Sequence, residues 1–330
     1  GAQHRSPLEG QTVTNVYGIV TGITGSGFYL QDPKQDLDER TSEGIFIATQ
    51  RVSTVKVGDE VLIASGVVKE FNPAGVGNNS LTITQIQTND FNVLSKGNPL
   101  PEPIVLGEGG RTIPNQVITN DVNNYAGKGG LFDPQEDGLD FYESLEGMRV
   151  QVNQALAVSP TSKYREVVVV ADKGKNSTVL SSRGVLVLRP EDFNPERILI
   201  DDAFINIPEI QVGALFNQPI VGIISYDFGN FRLQPTEKLT FSQGNPTRET
   251  ISISPEEKQL SIATYNVENL EIQTYPERLA QLAQDIVVNL GSPDILALQE
   301  VQDDDGTLGS LVTSVDATLA ALVEVIQQAG

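Results

Sequence analysis

The chain has 330 residues, 43 Asp and Glu against 22 Lys and Arg, a formal net charge of -21, one His and no Cys. The absence of cysteine excludes disulfides, thiolate zinc sites and cysteine nucleophiles, and no apolar run reaches the ~18–20 residues that span a bilayer. The length predicts two or three domains, and an acidic surface repels phosphates, so phosphate chemistry here needs divalent cations to bridge substrate and protein.

Simple solubility in salty surroundings is the other reading of the charge. The start, Gly1-Ala2-Gln3-His4, has neither an initiator Met nor a signal-peptide pattern. It is expected to be the edge of a cut or processed chain whose upstream part, such as a leader, is missing.

Residues 1–105 read as short strands. "TVTNVYGIV", "GFYLQDP", "EGIFIAT", "VLIASGVV" and "SLTITQI" are β-rich runs separated by Gly, Pro and Asn turns, the grammar of an all-β barrel or sandwich. Five strands in about a hundred residues predict a small closed barrel of the OB type, with a sandwich as the alternative. Phe28, Tyr29 and Phe46 fall on these strands, either as core or as platforms for stacked bases. The module to Pro103 has seven basic residues against eleven acidic ones, so a nucleic-acid groove there lacks its electrostatic half. The run Asp36-Leu37-Asp38-Glu39 is expected to be a solvated loop.

Residues 106–143, rich in Gly, Asn and Pro, are expected to be a linker or irregular extension. Within it, Asp133, Gln135 and Asp137 alternate and Gly138 follows, a partial imitation of a calcium loop whose twelfth position is Ser144 instead of Glu. A solvated turn is the competing reading of that stretch.

The strand order then recurs. "SPLEG" at Ser6–Gly10 is echoed by "SLEG" at Ser144–Gly147, and "MRVQVNQALAV", "REVVVVAD", "GVLVLRP", "VGALFNQPIVGII" and "FRLQPTEKLTF" follow. This predicts a second OB-like five-stranded barrel over 144–245, with an insertion at 191–208. Its aromatics Tyr226, Phe228 and Phe231 carry the same two readings as those of the first module.

After a linker, 246–260, the pattern changes. "LSIATYNV" reads as a strand, and "YPERLAQLAQDIVVNLGS" as a helix with Leu279, Leu282, Ala283, Ile286 and Leu290 on one face. "PDILALQEV" is a buried strand. "VDATLAALVEVIQQAG" is a second amphipathic helix, with Asp316 as its expected N-cap and Leu319, Leu322, Val323 and Ile326 inward. This is β-α-β-α, the start of a layered α/β domain over 261–330.

Asn266 and Glu300 each end one of these strands. If the strands are parallel neighbours, both side chains reach the carboxyl edge, where α/β sheets place ligands. A neutral oxygen beside a carboxylate suits Mg²⁺ or Mn²⁺, which keep coordination positions for substrate phosphate. The alternative is a turn-capping Asn and an exposed strand-end acid. The Asp303–Asp305 run is a further candidate for an accessory cation.

"SIATYNVENL", the helix after it and "PDILALQEVQDDDG" resemble the opening of the endonuclease/exonuclease/phosphatase superfamily, in particular its large secreted bacterial nucleases. "HRSPLEGQTV", "GFYLQDP", "TSEGIFIAT" and "DFYESLEGMRV" are similar to the OB-like region that precedes the catalytic domain in those enzymes. The resemblance implies a mainly β chain, two tandem barrels followed by the first β-α-β-α part of an α/β four-layer sandwich phosphoesterase domain. It implies Glu300 as the main metal ligand and Asn266 as its support, both at the catalytic and metal site. It further implies Mg²⁺ or Mn²⁺ with a possible accessory Ca²⁺, nucleic acid as substrate (DNA ahead of RNA), and a bacterial protein that is secreted or held at the cell surface.

The chain departs from that family by ending at Gly330, before the His, the Gly-Asp-Xaa-Asn motif and the final Asp-His pair. From Leu260 onward it has one basic residue, Arg278, against eleven acidic ones. The expectation is therefore a truncated, inactive part of a phosphodiesterase, whose 261–330 region alone is loosely ordered or dimerises through an open sheet edge. The alternative is a non-enzymatic tandem-barrel module that binds a polymer or a protein. Oligomeric state is left open by the sequence.

Overall fold

The computed structural model describes residues 4–36, 38–75, 80–120, 131–253, 255–271, 276–306 and 309–330. Two compact units divide the chain, 1–246 and 247–330. Among the described residues no helix is long and apolar enough to cross a membrane.

The first unit begins with a closed five-stranded barrel of β1 (Thr12–Ile23), β2 (Gly27–Gln31), β3 (Gly44–Ala48), β4 (Glu60–Phe71) and β5 (Ile83–Ser95), ordered β1-β2-β3-β5-β4. All neighbours are antiparallel except β3 and β5. Long β1 and β4 follow from β-branched runs, and irregularities in their registers let them coil. Val20, Phe28, Leu30, Ile47, Ile63 and Ile86 fill the interior. Closure removes sheet edges, so a module this short has no free ladder.

The second β region differs from the expected five-stranded barrel. It is a nine-stranded sheet formed by β6 (Ile104–Leu106), β7 (Arg149–Val152), β8 (Leu156–Ala157), β9 (Val167–Val170), β10 (Ile198–Ile200), β11 (Leu215–Phe216), β12 (Ile220–Asp227), β13 (Asn230–Pro235) and β14 (Phe241–Ser242). The order is β14-β11-β8-β9-β10-β13-β12-β7-β6. The expected insertion at 191–208 supplies β10, which sits between β9 and β13, because the apolar Ile198 and Ile200 are buried there.

Described parts of the expected linker at 106–143 also contribute to this core. Ile113, Phe141 and Tyr142 join its apolar cluster, and α1 (Gly138–Glu143) is a single turn and a half. Barrel and sheet meet where Gly44 and Gly147 pass backbone to backbone. A Cβ on Gly44 would lie 2.3 Å from the Gly147 carbonyl carbon, so this approach requires glycine.

The second unit is a parallel pair, β15 (Ile262–Leu270) and β16 (Ile295–Val301), with α2 (Pro276–Gln284) and α3 (Asp316–Ala329). Tyr265, Val267, Leu270, Leu296 and Leu298 pack under Leu279, Leu282, Ile286 and Leu322. Val323, expected inward, is exposed, and Val325 packs in its place. The expected linker 246–260 is part of this unit: Arg248 pairs with Asp285, and the Ile251 N–H donates to the Asn289 carbonyl at 2.8 Å.

Candidate functional site

The site is built by a bulge at the carboxyl ends of β15 and β16. Asn266 pairs with Gln299 and Leu270 with Val301, so Val267, Glu268 and Asn269 stand opposite Glu300 alone. Buried Val267 and Leu270 anchor both ends of the bulge. Three residues in it are left-handed without being glycine: Glu268 (φ 48°), Asn269 (φ 56°) and Glu300 (φ 61°). Such backbone is uncommon outside glycine and persists only where surroundings impose it.

The imposing groups are visible. Arg278 on α2 donates through Nη2 to the Val267 carbonyl at 2.6 Å and to the Glu268 carbonyl at 2.8 Å. Gln302 Nε2 donates to Asn269 Oδ1 at 2.7 Å. The left-handed turn at Glu300 breaks the in-out alternation of β16, so Gln299 and Glu300 are both exposed.

Asn266 Nδ2 donates to Glu300 Oε1 at 2.7 Å, and the Glu268 N–H donates to Asn266 Oδ1 at 2.8 Å. The second bond fixes the amide orientation, since only the oxygen can accept from an N–H. The structure thus brings together the two residues expected at one spot. The Asn266 oxygen accepts from backbone and its amide nitrogen donates to Glu300, so Asn266 fixes the position of the Glu300 carboxylate. Mg²⁺ is commonly held by one or two carboxylates plus substrate phosphate, and Glu300 fits as one such carboxylate. Among the described residues, no group of three or more His, Cys, Asp and Glu could hold a metal ion. Arg278, the one basic residue from Leu260 onward, is committed to the bulge.

Other expected cation ligands are engaged elsewhere. Asp304 accepts from the Thr318 N–H at 3.0 Å and from Ser314 Oγ at 2.9 Å, so it caps α3, a role expected of Asp316. Asp303 has its carboxyl pushed up by a shared hydrogen bond with Asp305. In the imitation calcium loop, Asp137 accepts from the Leu139 N–H at 3.0 Å and from the Asn120 N–H at 3.0 Å, and N-caps α1. Asp133 accepts from the Gln135 N–H at 3.2 Å. These oxygens close turns, and the stretch folds as a helix start in place of a calcium loop.

The aromatic platforms divide. Phe28, Tyr29 and Tyr226 are buried and unavailable to a base. Burial pushes the Tyr29 phenol up to about 12, while its hydroxyl donates to Ser225 Oγ at 3.0 Å. Phe46 packs edge-on against Tyr29 at 5.0 Å. Phe228 is exposed, and Phe231 is half-buried beside a cleft. In the acidic run, Leu37 lies outside the described residues, and Asp38 pairs with Arg40 at 2.8 Å on the surface.

Sequence reasoning missed His4. It is buried, with Nε2 2.6 Å from Asp140 Oδ1 and Nδ1 3.3 Å from Glu143 Oε2 on α1. The partners lie more than 130 residues away in sequence, beyond any local signal.

A family model described as "Domain of unknown function (DUF8508)" matches residues 105–245, the stretch from β6 through β14. No curated protein matches the chain. Solved structures similar to it include the wild-type single-stranded DNA binding protein from Thermus aquaticus, at 10% identity over 71% of this chain and 97% of that one, TM-score 0.17. A deletion mutant of the same protein matches at 11% identity over 73% and 95%, TM-score 0.18. Backbone agreement at that level transfers no site.

Proposed function

We propose that the second unit contributes the cation-facing edge of a divalent-metal-dependent phosphodiesterase that acts on nucleic acid, DNA ahead of RNA. The observation that carries this reading is the Asn266 Nδ2 to Glu300 Oε1 bond inside an imposed left-handed bulge at the shared carboxyl edge. Crevices at that edge are where parallel sheets bind ligands, and imposed strain gathers at functional sites. Mg²⁺ or Mn²⁺, when bound, offsets negative charge on a substrate phosphate. Asn266 orients the Glu300 carboxylate, and Arg278 holds the bulge that presents it. The resemblance to secreted nucleases of the endonuclease/exonuclease/phosphatase superfamily agrees with this assignment and extends it to export from a bacterial cell. The barrel order β1-β2-β3-β5-β4 agrees with an OB-type first module.

The 330 residues by themselves lack a free imidazole, since His4 is buried in its carboxylate pair. General acid–base help from His is thus unavailable, and the chain alone is expected to be inactive. A second reading, a non-enzymatic binding chain, is favoured by the OB-type strand order of the first barrel.

The test is nicking of supercoiled plasmid with Mg²⁺ or Mn²⁺ by the product of the complete reading frame. The expected result is activity that falls to background in Glu300→Ala and by roughly 10–100-fold in Asn266→Leu, the range for residues that orient a ligand. An inert intact protein, or full activity without Glu300, would favour the binding chain.

A further inference from the structure

Barrel and sheet of the first unit are joined by the dipeptide Glu146-Gly147, between the end of α1 and the start of β7. The Gly147 N–H donates to the Ile224 carbonyl of β12 at 2.8 Å, on the sheet side. On the barrel side, Ser42 Oγ donates to the Glu146 carbonyl at 2.6 Å, and the Thr84 N–H of β5 donates to Glu146 Oε1 at 2.9 Å. The glycine contact with Gly44 brings these segments close.

The joint is lined by acids that water barely reaches. Asp140, Glu143 and Glu146 are 2%, 4% and 8% exposed. A buried carboxylate is costly unless it is paired or hydrogen-bonded, and the neighbours of Glu146 meet that condition. Asp140 is met by His4 Nε2 at 2.6 Å and by the Asp133 N–H at 2.6 Å. Glu143 faces His4 Nδ1 at 3.3 Å. Glu70, on β4, accepts from the Ser6 N–H at 2.7 Å, from Thr82 Oγ1 at 2.6 Å and from Thr84 Oγ1 at 2.9 Å.

Glu146 is the least compensated member. Its Oε2 is buried with no hydrogen-bond partner among the described residues, and the cation of the cluster, His4, is held between Asp140 and Glu143. Burial pushes the Glu146 carboxyl well above the usual carboxylate range. The charges of Glu143 and Glu70 push it the same way, against the Thr84 N–H and the amino-terminal charge. A proton entering this cluster therefore goes to Glu146 first.

We propose that Glu146 is a proton-dependent clasp between barrel and sheet: as the neutral acid it seats in the joint, and its ionisation loosens the hold of Glu146-Gly147 on β5 and on the segment before β3. The sign follows from linkage. A carboxyl raised in the folded chain contributes stability that is complete below its unfolded value and is lost as pH rises through its folded value. The joint is thus tight in acid and loosens toward alkali. The clasp lies in residues 1–246, uses no residue of the Asn266–Glu300 site, and stands or fails independently of it.

The test follows two signals of the full 330-residue chain by NMR across a pH titration: the side-chain carboxyl carbon of Glu146 and hydrogen exchange of the Thr84 N–H. The Glu146 carbon should stay at its protonated position through neutral pH, after ordinary carboxylates have ionised. While it titrates, Thr84 protection, corrected for hydroxide catalysis, should fall by up to about tenfold per pH unit, the slope for one proton. Glu146→Gln keeps an acceptor oxygen for Thr84 and cannot ionise. Its fall should be shallower by that same factor, any remainder belonging to His4, which is raised to about 9. The clasp is overturned if the Glu146 carbon titrates with the ordinary carboxylates, if Thr84 protection is constant while that carbon titrates, or if folded Glu146→Gln gives the parent's profile. The first two readings need no substitution, so they decide even where the variant does not fold.

Discussion

Glu300 occupies backbone that a glycine would adopt at lower cost, by roughly 1–2 kcal/mol. Replacing it by Gly should therefore leave the second unit equally stable or about 1 kcal/mol more stable while removing the carboxylate. Urea unfolding of Glu300→Gly beside Glu300→Ala measures this, and a large loss of stability in the Gly variant would contradict it. His4 gives a pH prediction. Burial alone would lower its imidazole, but hydrogen bonds to Asp140 and Glu143 and their charges outweigh burial and push it up to about 9 from 6.5. A raised folded value means that the stabilisation is full below about pH 6.5 and is lost as pH rises through about 9. The effect is on the order of 3 kcal/mol. Denaturation across pH 6–10 should show that decline, and His4→Gln should flatten it. Asn266 and Glu300 were legible in the sequence because each stands near the end of the alternating part of its strand, although β15 runs on to Leu270 and β16 to Val301. The orientation of the Asn266 amide was not, because it depends on the Glu268 N–H in a bulge with no sequence signature.

At the level of elements, β15, α2, β16 and α3 were readable from periodicity over long segments. The nine-stranded sheet was not. Three of its strands, Leu156–Ala157, Leu215–Phe216 and Phe241–Ser242, are two residues long, too short to show a period. Strand β10 came from a stretch that reads as an insertion. The cap of α3 was also misplaced, since Asp304 reaches it from the preceding loop across ten residues that contain Ser314. Asp304→Ala should destabilise the second unit by about 1 kcal/mol, whereas Asp316→Ala should cost less. Melting of the two variants checks this. Among the described residues neither outer edge of the β15–β16 pair is hydrogen-bonded to another strand, and Ile262 and Ile295 are exposed on its uncovered face. Such surfaces favour association.

At the scale of the whole molecule, residues 1–246 and 247–330 form separate compact units. The second has a small buried cluster of six apolar residues and fourteen acidic residues against three basic ones. Small cores are marginal, and self-repulsion weakens a compact state. Calorimetry should therefore show two transitions. The lower belongs to 247–330, is absent from a 1–246 chain, and rises when salt screens the charges. A single transition unaffected by salt would contradict this. The sequence showed the boundary near residue 246 through the change from β runs to helix-and-strand alternation. The burial of Phe132, Phe141 and Tyr142 was not readable, because they are scattered among Gly, Asn and Asp.

In the proposed site Asn266 holds the Glu300 carboxylate at the strand edge, where a divalent ion would bind it. The most direct measurement is paramagnetic broadening by Mn²⁺ of the side-chain amide signals of the 330-residue chain. The Asn266 amide should broaden at the lowest Mn²⁺ concentration, ahead of signals beside Asp303–Asp305, and Glu300→Gln should remove this effect. Broadening spread evenly over the acidic surface, or unchanged at Asn266 in Glu300→Gln, would contradict it.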